Sequence, residues 1–372
     1  MSGYFFRVEK LSAGYGKRPV VQELEICVER GEILTFIGAN GVGKSTVLKN
    51  ITAQLAPLAG TVYLDGRSVH ELSRKQLARH MAVVLTERIE GEWMSCGEVV
   101  AAGRYPFTGF LGALTDKDWR QIAQAMETVG IRHLSDRQFT ALSDGQKQLT
   151  MLARALCQEP EILVLDEPTS YLDMRYKLEL LSVLQRMARE RGLAVIMSLH
   201  ELELAQRVSH KILALKGGYI HRYGTPEEIF TPGYLKELYD MGAGSYDERS
   251  CRPELPRAEG APQVFVIAGG GSGIPIYRRL QREGIPFATG ILAENDLDYP
   301  TAADLAVEVV GVEPFASIGQ EALERGIRVM ESCQHVYCCV ERFGEWNQAN
   351  RLLLERAIAA GRLEELSWQR SL

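Results

Sequence analysis

No uninterrupted apolar stretch in the sequence approaches the roughly 20 residues that a membrane-spanning helix needs, and Met1–Arg7 has no signal-peptide hydrophobic core. The expectation is a cytoplasmic protein that reaches a membrane only by docking. Cysteine is sparse: there are seven, an odd number without framework-like spacing, which argues against a disulfide scaffold and for a reducing compartment. Nor is there a basic excess. With 42 Lys and Arg against 48 Asp and Glu, the net charge is -6, and a dominant nucleic-acid-binding surface is unsupported. What the chain does have is core material: 46% of its residues are hydrophobic and 24% charged. At 372 residues it is too long for one ordinary domain and suggests two.

One stretch, Gly38-Ala39-Asn40-Gly41-Val42-Gly43-Lys44-Ser45-Thr46, fits G-x-x-x-x-G-K-[ST] at every fixed position. The apolar run Ile33–Ile37 before it predicts a buried strand, and Thr46–Ile51 after it begins a helical pattern, which is the context a phosphate-binding loop requires. The glycines let the backbone curl so that successive N–H groups and the positive helix end face the β- and γ-phosphates. Lys44 adds a point charge there, and Ser45 a hydroxyl ligand for magnesium. The plainer alternative is a glycine-rich turn followed by a chance Lys-Ser, which the flanking strand and helix make improbable.

Several stretches surround that loop. Tyr15 lies between two strand-like runs on a glycine-flanked segment, where an aromatic can stack on a purine or simply pack in a turn. Gly60–Gly66 and Met81–Leu85 predict strands, and Leu72–Arg79 a short basic helix. Residues Gly97–Gly130 read as mostly helical, interrupted by the apolar and aromatic insert Arg104–Gly112, which is either a packed loop or a docking surface. Leu142-Ser143-Asp144-Gly145-Gln146-Lys147-Gln148 precedes a helical pattern at Leu149, Leu152, Ala153 and Leu156. The apolar run Ile162–Leu165 then ends in Asp166 and Glu167. A carboxylate at the end of a buried strand can hold magnesium through water, which suits Asp166, and its neighbour Glu167 can orient and deprotonate an attacking water. The strand-like Leu193–Ser198 delivers His200.

Together these motifs resemble the ATP-binding subunits of ABC transporters, from about Val8 to Asp240. In the family's order come the aromatic loop at Tyr15, Walker A at Gly38–Thr46, the signature at Leu142–Gln146 and the Walker B strand Ile162–Asp166. Glu167, the D-loop Ser170–Asp173 and the switch histidine His200 follow. The resemblance implies a mixed sheet with a helical subdomain, ATP and magnesium as cofactors, and ATP hydrolysis. It also implies a homodimer in which Walker A of one subunit and Ser143 and Gly145 of the other enclose each nucleotide, with Gln146 and Asp173 also among the nucleotide-binding positions. Two positions depart from the pattern. Asp144 stands where a second glycine is usual, so its side chain is expected to point away from the nucleotide. Thr86 and Glu87 stand where glutamine is usual, with Glu87 a candidate for magnesium or the lytic water. The segment Gly103-Arg104-Tyr105-Pro106-Phe107 is similar to one typical of ATPases serving importers of iron–siderophore, haem and cobalamin. That puts the docking reading of the insert first and implies a transmembrane permease, with a substrate-binding protein outside.

Domain expectations are therefore 1–240 for the ATPase, 241–262 for a linker rich in glycine, charge and proline, and 263–372 for a small Rossmann-like parallel α/β domain. That last domain opens with Gln263–Ala268 as a strand, a glycine turn at Gly269–Gly273 and a helix over Ile276–Glu283. Further strands are predicted at Phe287–Leu292, Leu305–Val310 and His335–Val340. The glycine turn is a candidate seat for a small phosphate or nucleotide ligand, against the plainer reading of a tight turn. Cys333, His335, Cys338 and Cys339 could suggest a metal site, but Cys338 and Cys339 fall inside an apolar strand and read as buried small hydrophobes instead. Three functions compete: the energy-coupling ATPase of a metal-chelate importer, a soluble ABC ATPase of translation or repair, and an enzyme centred on the C-terminal domain. A single cassette without a long coiled-coil insertion disfavours the second. The absence of a nucleophile–base pair after Gln263 disfavours the third.

Overall fold

Alternation of buried and outward residues marks β1 (Phe6–Tyr15) and β2 (Arg18–Val28), which pair antiparallel across the two-residue turn Gly16-Lys17. The computed structural model describes residues 4–85, 93–109, 112–248 and 251–364. The chain divides into two compact units, Met1–Tyr234 and Leu235–Leu372, so the division falls ahead of Asp240.

In the first unit the strands that follow are β3 (Ile33–Ile37), β4 (Ala59–Leu64), β5 (Arg67–Ser68), β6 (Met81–Val84) and β7 (Ile162–Leu165), then β8 (Ala194–Ser198), β9 (Lys211–Lys216) and β10 (Tyr219–Gly224). They form two sheets. One is antiparallel, in the order β2-β1-β4-β5; the other runs β10-β9-β3-β8-β7-β6 and is parallel except for β10. Every residue of β3, β7 and β8 is buried, as continuous apolar runs in a covered parallel sheet should be. The helix Lys44–Ile51 brings Val47, Leu48 and Ile51 into one core with Leu11 and Leu24 of the first sheet and Phe36 and Ile196 of the second. Burying each such side chain stabilises the unit by about 1.5–3 kcal/mol. That core fixes the loop before the helix.

The helices of the subdomain start at side-chain caps. Thr115 caps Asp116–Val129 and Ser143 caps Asp144–Cys157, each in a reciprocal capping box, and Asp173 caps Met174–Arg191. The short basic helix is confined to Arg74–Leu77 because Ser73 and Gln76 form a box that sets its start. Of the insert Arg104–Gly112, the first four residues belong to a 3-10 segment, Ala102–Phe107, that continues the helix Cys96–Ala101, and residues 110 and 111 lie outside the described residues.

The second unit contains a two-stranded ribbon, β11 (Ser245–Asp247) with β12 (Arg252–Glu254), and a four-stranded parallel sheet. The sheet strands are β13 (Val264–Ile267), β14 (Phe287–Ala293), β15 (Glu308–Val312) and β16 (His335–Cys338), in the order β15-β14-β13-β16. Val264 and Val266 face one core with Tyr277 and Phe287, while Phe265 and Ile267 face the other with Met330 and Leu353. That period of two puts helices on both faces.

Within the segment 241–262, Glu254 accepts from Arg278 Nε at 3.1 Å and the Pro256 carbonyl from Gln281 Nε2 at 3.2 Å, which ties these two residues to the helix Ile274–Glu283. One strand boundary needs correction. The strand expected to begin at Leu305 begins at Glu308, because Leu305 closes the helix Tyr299–Leu305 and Ala306 N–H still bonds to the Ala302 carbonyl.

Candidate functional site

The turn between β3 and the helix Lys44–Ile51 takes left-handed backbone at Gly38 (φ 140°), Gly41 (79°) and Gly43 (111°). A Cβ at Gly43 would come within 2.6 Å of Val21 Cγ1, so a side chain is excluded there by space as well as by φ. The Lys44 ammonium folds back over the loop, donating to the Gly38 carbonyl at 2.7 Å and the Ala39 carbonyl at 3.2 Å. Burial pushes Lys44 below its ordinary pKa, while the charges of Glu167 and Asp166 push back. Residues of the loop between Asn40 and Thr46 line a cleft of about 290 Å³, whose far side is Glu167 and His200.

The wall opposite the loop is built from the ends of β7 and β8. Asp166 is buried, and its Oδ1 accepts the Ser198 hydroxyl at 2.7 Å. The same Ser198 oxygen accepts the Glu167 N–H at 2.9 Å. Glu167 takes left-handed backbone (φ 48°), a cost of order 1–2 kcal/mol for a residue with a Cβ. Ser198 therefore fixes both the carboxylate before Glu167 and the strained peptide that aims it. His200 Nε2 lies 2.5 Å from Glu167 Oε1, and Ser170 Oγ donates to Glu167 Oε2 at 3.2 Å. Beside it Glu201 accepts from Lys177 Nζ at 2.6 Å and Thr169 Oγ1 at 2.7 Å. Burial alone would raise the Glu201 carboxyl, but Lys177 and Thr169 outweigh it and hold the group below its ordinary value.

The structure thus brings together Asn40, Gly41, Gly43, Lys44, Ser45, Thr46, Glu167 and His200 around one cleft. Tyr15, Ser143, Gly145, Gln146 and Asp173 do not line it. Tyr15 is exposed at the end of β1. Ser143 Oγ accepts the Gln146 N–H at 3.3 Å, which leaves its own proton free to donate. Asp144, in the first helical turn, is exposed and lies 3.9 Å from Lys147. Gly145 has a packing reason of its own: a Cβ there would meet the Tyr176 ring at 2.3 Å. Glu87, with Thr86, lies outside the described residues.

Sequence reasoning missed Ser198, Thr169, Lys177 and Glu201, and named Ser170 only as part of the D-loop. Ser198 was legible only as the last residue of a strand, since a hydroxyl two positions before a histidine carries no spacing signal of its own. Arg104 also differs from its expected surface role. It is buried, donates to Asp118 Oδ1, the Cys157 carbonyl and Glu159 Oε2, each at 2.8 Å, and lies over the Phe107 ring at 4.1 Å. The side chain the segment shows most to solvent is Tyr105, 75% exposed.

In the second unit, the helix start after Gly269–Gly273 is not vacant. Asp298 Oδ1 accepts the N–H groups of Gly273 at 3.0 Å and Ile274 at 3.1 Å, and both Asp296 oxygens lie 3.0 Å from the Gly270 N. The seat expected for a phosphate is filled by the chain's own carboxylates. Cys333 and Cys339 are buried, and burial pushes Cys339 up to about 12. Among the described residues no three His, Cys, Asp or Glu side chains gather as a metal site.

Comparison with known proteins agrees with this geometry. The ABC transporter family model matches residues 21–170, and the model of the MJ0874 family matches residues 287–363. An ABC transporter ATP-binding protein of Methanocaldococcus jannaschii is 42% identical over 288 residues, 77% of this chain and 99% of its own length. The iron(3+)-hydroxamate import ATP-binding protein of Bacillus subtilis is 40% identical over 246 residues, 66% of this chain and 91% of its own. A solved metal-chelate type ABC transporter in an inward-facing conformation superposes with a TM-score of 0.56 at 27% identity, covering 63% of this chain and 88% of that one. The chain belongs to the ATP-binding subunits of ABC transporters, and it is an ATPase of that family. No described helix is long and apolar enough to cross a membrane.

Proposed function

We propose that this chain hydrolyses ATP as the motor subunit of an importer that takes up a metal chelate of the iron–siderophore, haem or cobalamin kind. The observation that carries the chemistry is the array Asp166–Ser198–Glu167–His200 facing the Lys44 loop across one cleft. Lys44 and the loop N–H groups from Gly38 to Thr46 bind the β- and γ-phosphates, and Tyr15 stacks on the purine. Magnesium, when bound, neutralises phosphate charge. The Ser45 hydroxyl in the cleft and the Asp166 carboxylate at the end of β7 would hold it, and two such oxygen donors suit an ion that needs few protein ligands.

Glu167 accepts the proton of the attacking water, its Oε1 within reach of His200, which holds the carboxylate in line and senses the γ-phosphate. Ser143, Gly145, Gln146 and Asp173 of a second copy close the site, since none of them lines the cleft of their own chain. The capped Ser143 hydroxyl keeps a proton to give to the γ-phosphate. The homodimer works peripherally, on the cytoplasmic face of the membrane, with permease subunits and an extracytoplasmic binding protein. Support for the cargo class comes from the hydroxamate-import relative and from the Gly103–Phe107 segment, which presents Tyr105 on a rigid base. Uptake of radio-iron hydroxamate, haemin and cobalamin by cells carrying Glu167→Gln in place of the native residue tests it. One of the three should fall, and retention of all three would sink the cargo class.

A further inference from the structure

We propose that the second unit binds a small uncharged ligand of the nucleoside kind, a planar ring joined to a sugar diol, in the cavity over the carboxyl ends of β13, β14 and β15. The cavity holds about 430 Å³, within the range of small-molecule sites. It lies where open parallel sheets place their ligands, outside the carboxyl ends of the strands. Ala268, Ile291, Val312 and Ile318 supply apolar walls from three strands and the loop after them. Phe315 and Trp346 stand at its rim with 81% and 71% of their surfaces exposed, two rings with unfilled faces at the mouth of one pocket.

The charges decide the class of ligand. Among the described residues no Lys, Arg or His lines the cavity, and the one ionisable lining residue is Asp296. The N–H groups that would receive a phosphate are already bonded inside the chain, Gly270 to Asp296 and both Gly273 and Ile274 to Asp298. An anion entering here meets a carboxylate and finds no cation, which excludes nucleotides and other phosphate esters. Asp296 shares the Gly270 N–H between its two oxygens, and Oδ1 also accepts the Asp298 N–H at 2.8 Å. A carboxylate offers about four acceptor positions, so Oδ2 has capacity left for hydroxyl donors. An acidic side chain just past the second strand of a Rossmann-like unit is the one that takes ribose hydroxyls. With the phosphate seat closed and the diol acceptor and ring walls kept, what fits is a nucleoside without its phosphate.

The test is calorimetric titration of the full chain with adenosine, guanosine, cytidine and uridine, in saturating ADP so that the cleft at Lys44 is filled. At least one nucleoside should bind once per chain, and its 5′-monophosphate at least about tenfold more weakly. Trp346→Ala, at an exposed position, and Asp296→Asn should each weaken nucleoside binding at least about tenfold, with ATP turnover unchanged. Failure of all four nucleosides to bind below about 1 mM overturns the assignment. Equal affinity for nucleoside and monophosphate, or unaltered binding in Trp346→Ala, overturns it too. Neither result bears on the importer reading, which rests on the first unit.

Discussion

At Glu167 three constraints meet: a left-handed backbone, an N–H held by Ser198 and a carboxylate shared between His200 and Ser170. Glu167→Gln keeps the size and loses the base, so nucleotide binding should persist while phosphate release slows by at least about 10²-fold. Lys44→Ala should weaken nucleotide binding itself, and equilibrium ATP affinity measured beside turnover separates the two. That Lys44 and Glu167 would lie at one cleft was readable in the sequence because a phosphate loop and a strand ending in carboxylates leave fixed spacings. Ser198 was not, because its role depends on two strands lying side by side. Gly145 shows a different limit. Its place in a signature invites a nucleotide role, yet the Tyr176 ring also demands a residue without a Cβ. Gly145→Ala should destabilise the chain by about 1–3 kcal/mol, and Gly145→Ala with Tyr176→Ala should recover part of that in urea unfolding. A double variant as unstable as the sum of the two singles would remove the packing explanation.

Among the elements, the 3-10 segment Ala102–Phe107 is held by Arg104, whose buried guanidinium ties the segment to Asp118 on one helix and to Cys157 at the end of another. Bonds from the Thr115 hydroxyl and N–H, and then from Arg104, pull Asp118 down to about 2. A carboxyl depressed on folding adds stability that is complete well above its unfolded value of about 4 and is lost as pH falls towards 2. Asp118→Asn should therefore be less stable than the native chain by several kcal/mol at neutral pH, since it leaves Arg104 buried beside a weaker partner. The gap should narrow steadily below about pH 4 in urea unfolding followed by circular dichroism. A gap independent of pH would mean that Asp118 carries no such charge. The sequence shows proline and aromatics in this segment and invites a surface reading. Only the meeting of three distant stretches reveals that its arginine is internal and its tyrosine external. In the second unit the strands were legible from continuous apolar runs, while the Leu305 boundary was not, because an apolar helix end and an apolar strand start look alike in one dimension.

At the scale of the whole molecule, the function proposed above makes the cleft of a single chain half a site. Its lining comes from the phosphate loop, Glu167 and His200, while the signature serine caps a helix elsewhere with a proton still to give. A catalytic γ-phosphate needs donors on both sides, and a helix N-terminus with an uncommitted hydroxyl supplies them only if a second copy brings it there. Ser143→Arg should then be inactive as a homodimer because it blocks that face, and Lys44→Ala inactive because it cannot hold nucleotide. Mixed in equal amounts, the two variants form heterodimers with one composite site built from both native halves and one built from both altered halves. Turnover should reappear on mixing and rise with the heterodimer fraction, measured by differentially tagged chains captured in sequence. Heterodimers that form but release no phosphate would place Ser143 and Lys44 outside a shared site, or require both sites of the dimer to be intact. Doping either variant with native chain separates these outcomes. A heterodimer of native and Lys44→Ala chains keeps one intact composite site, and its silence would point to the second.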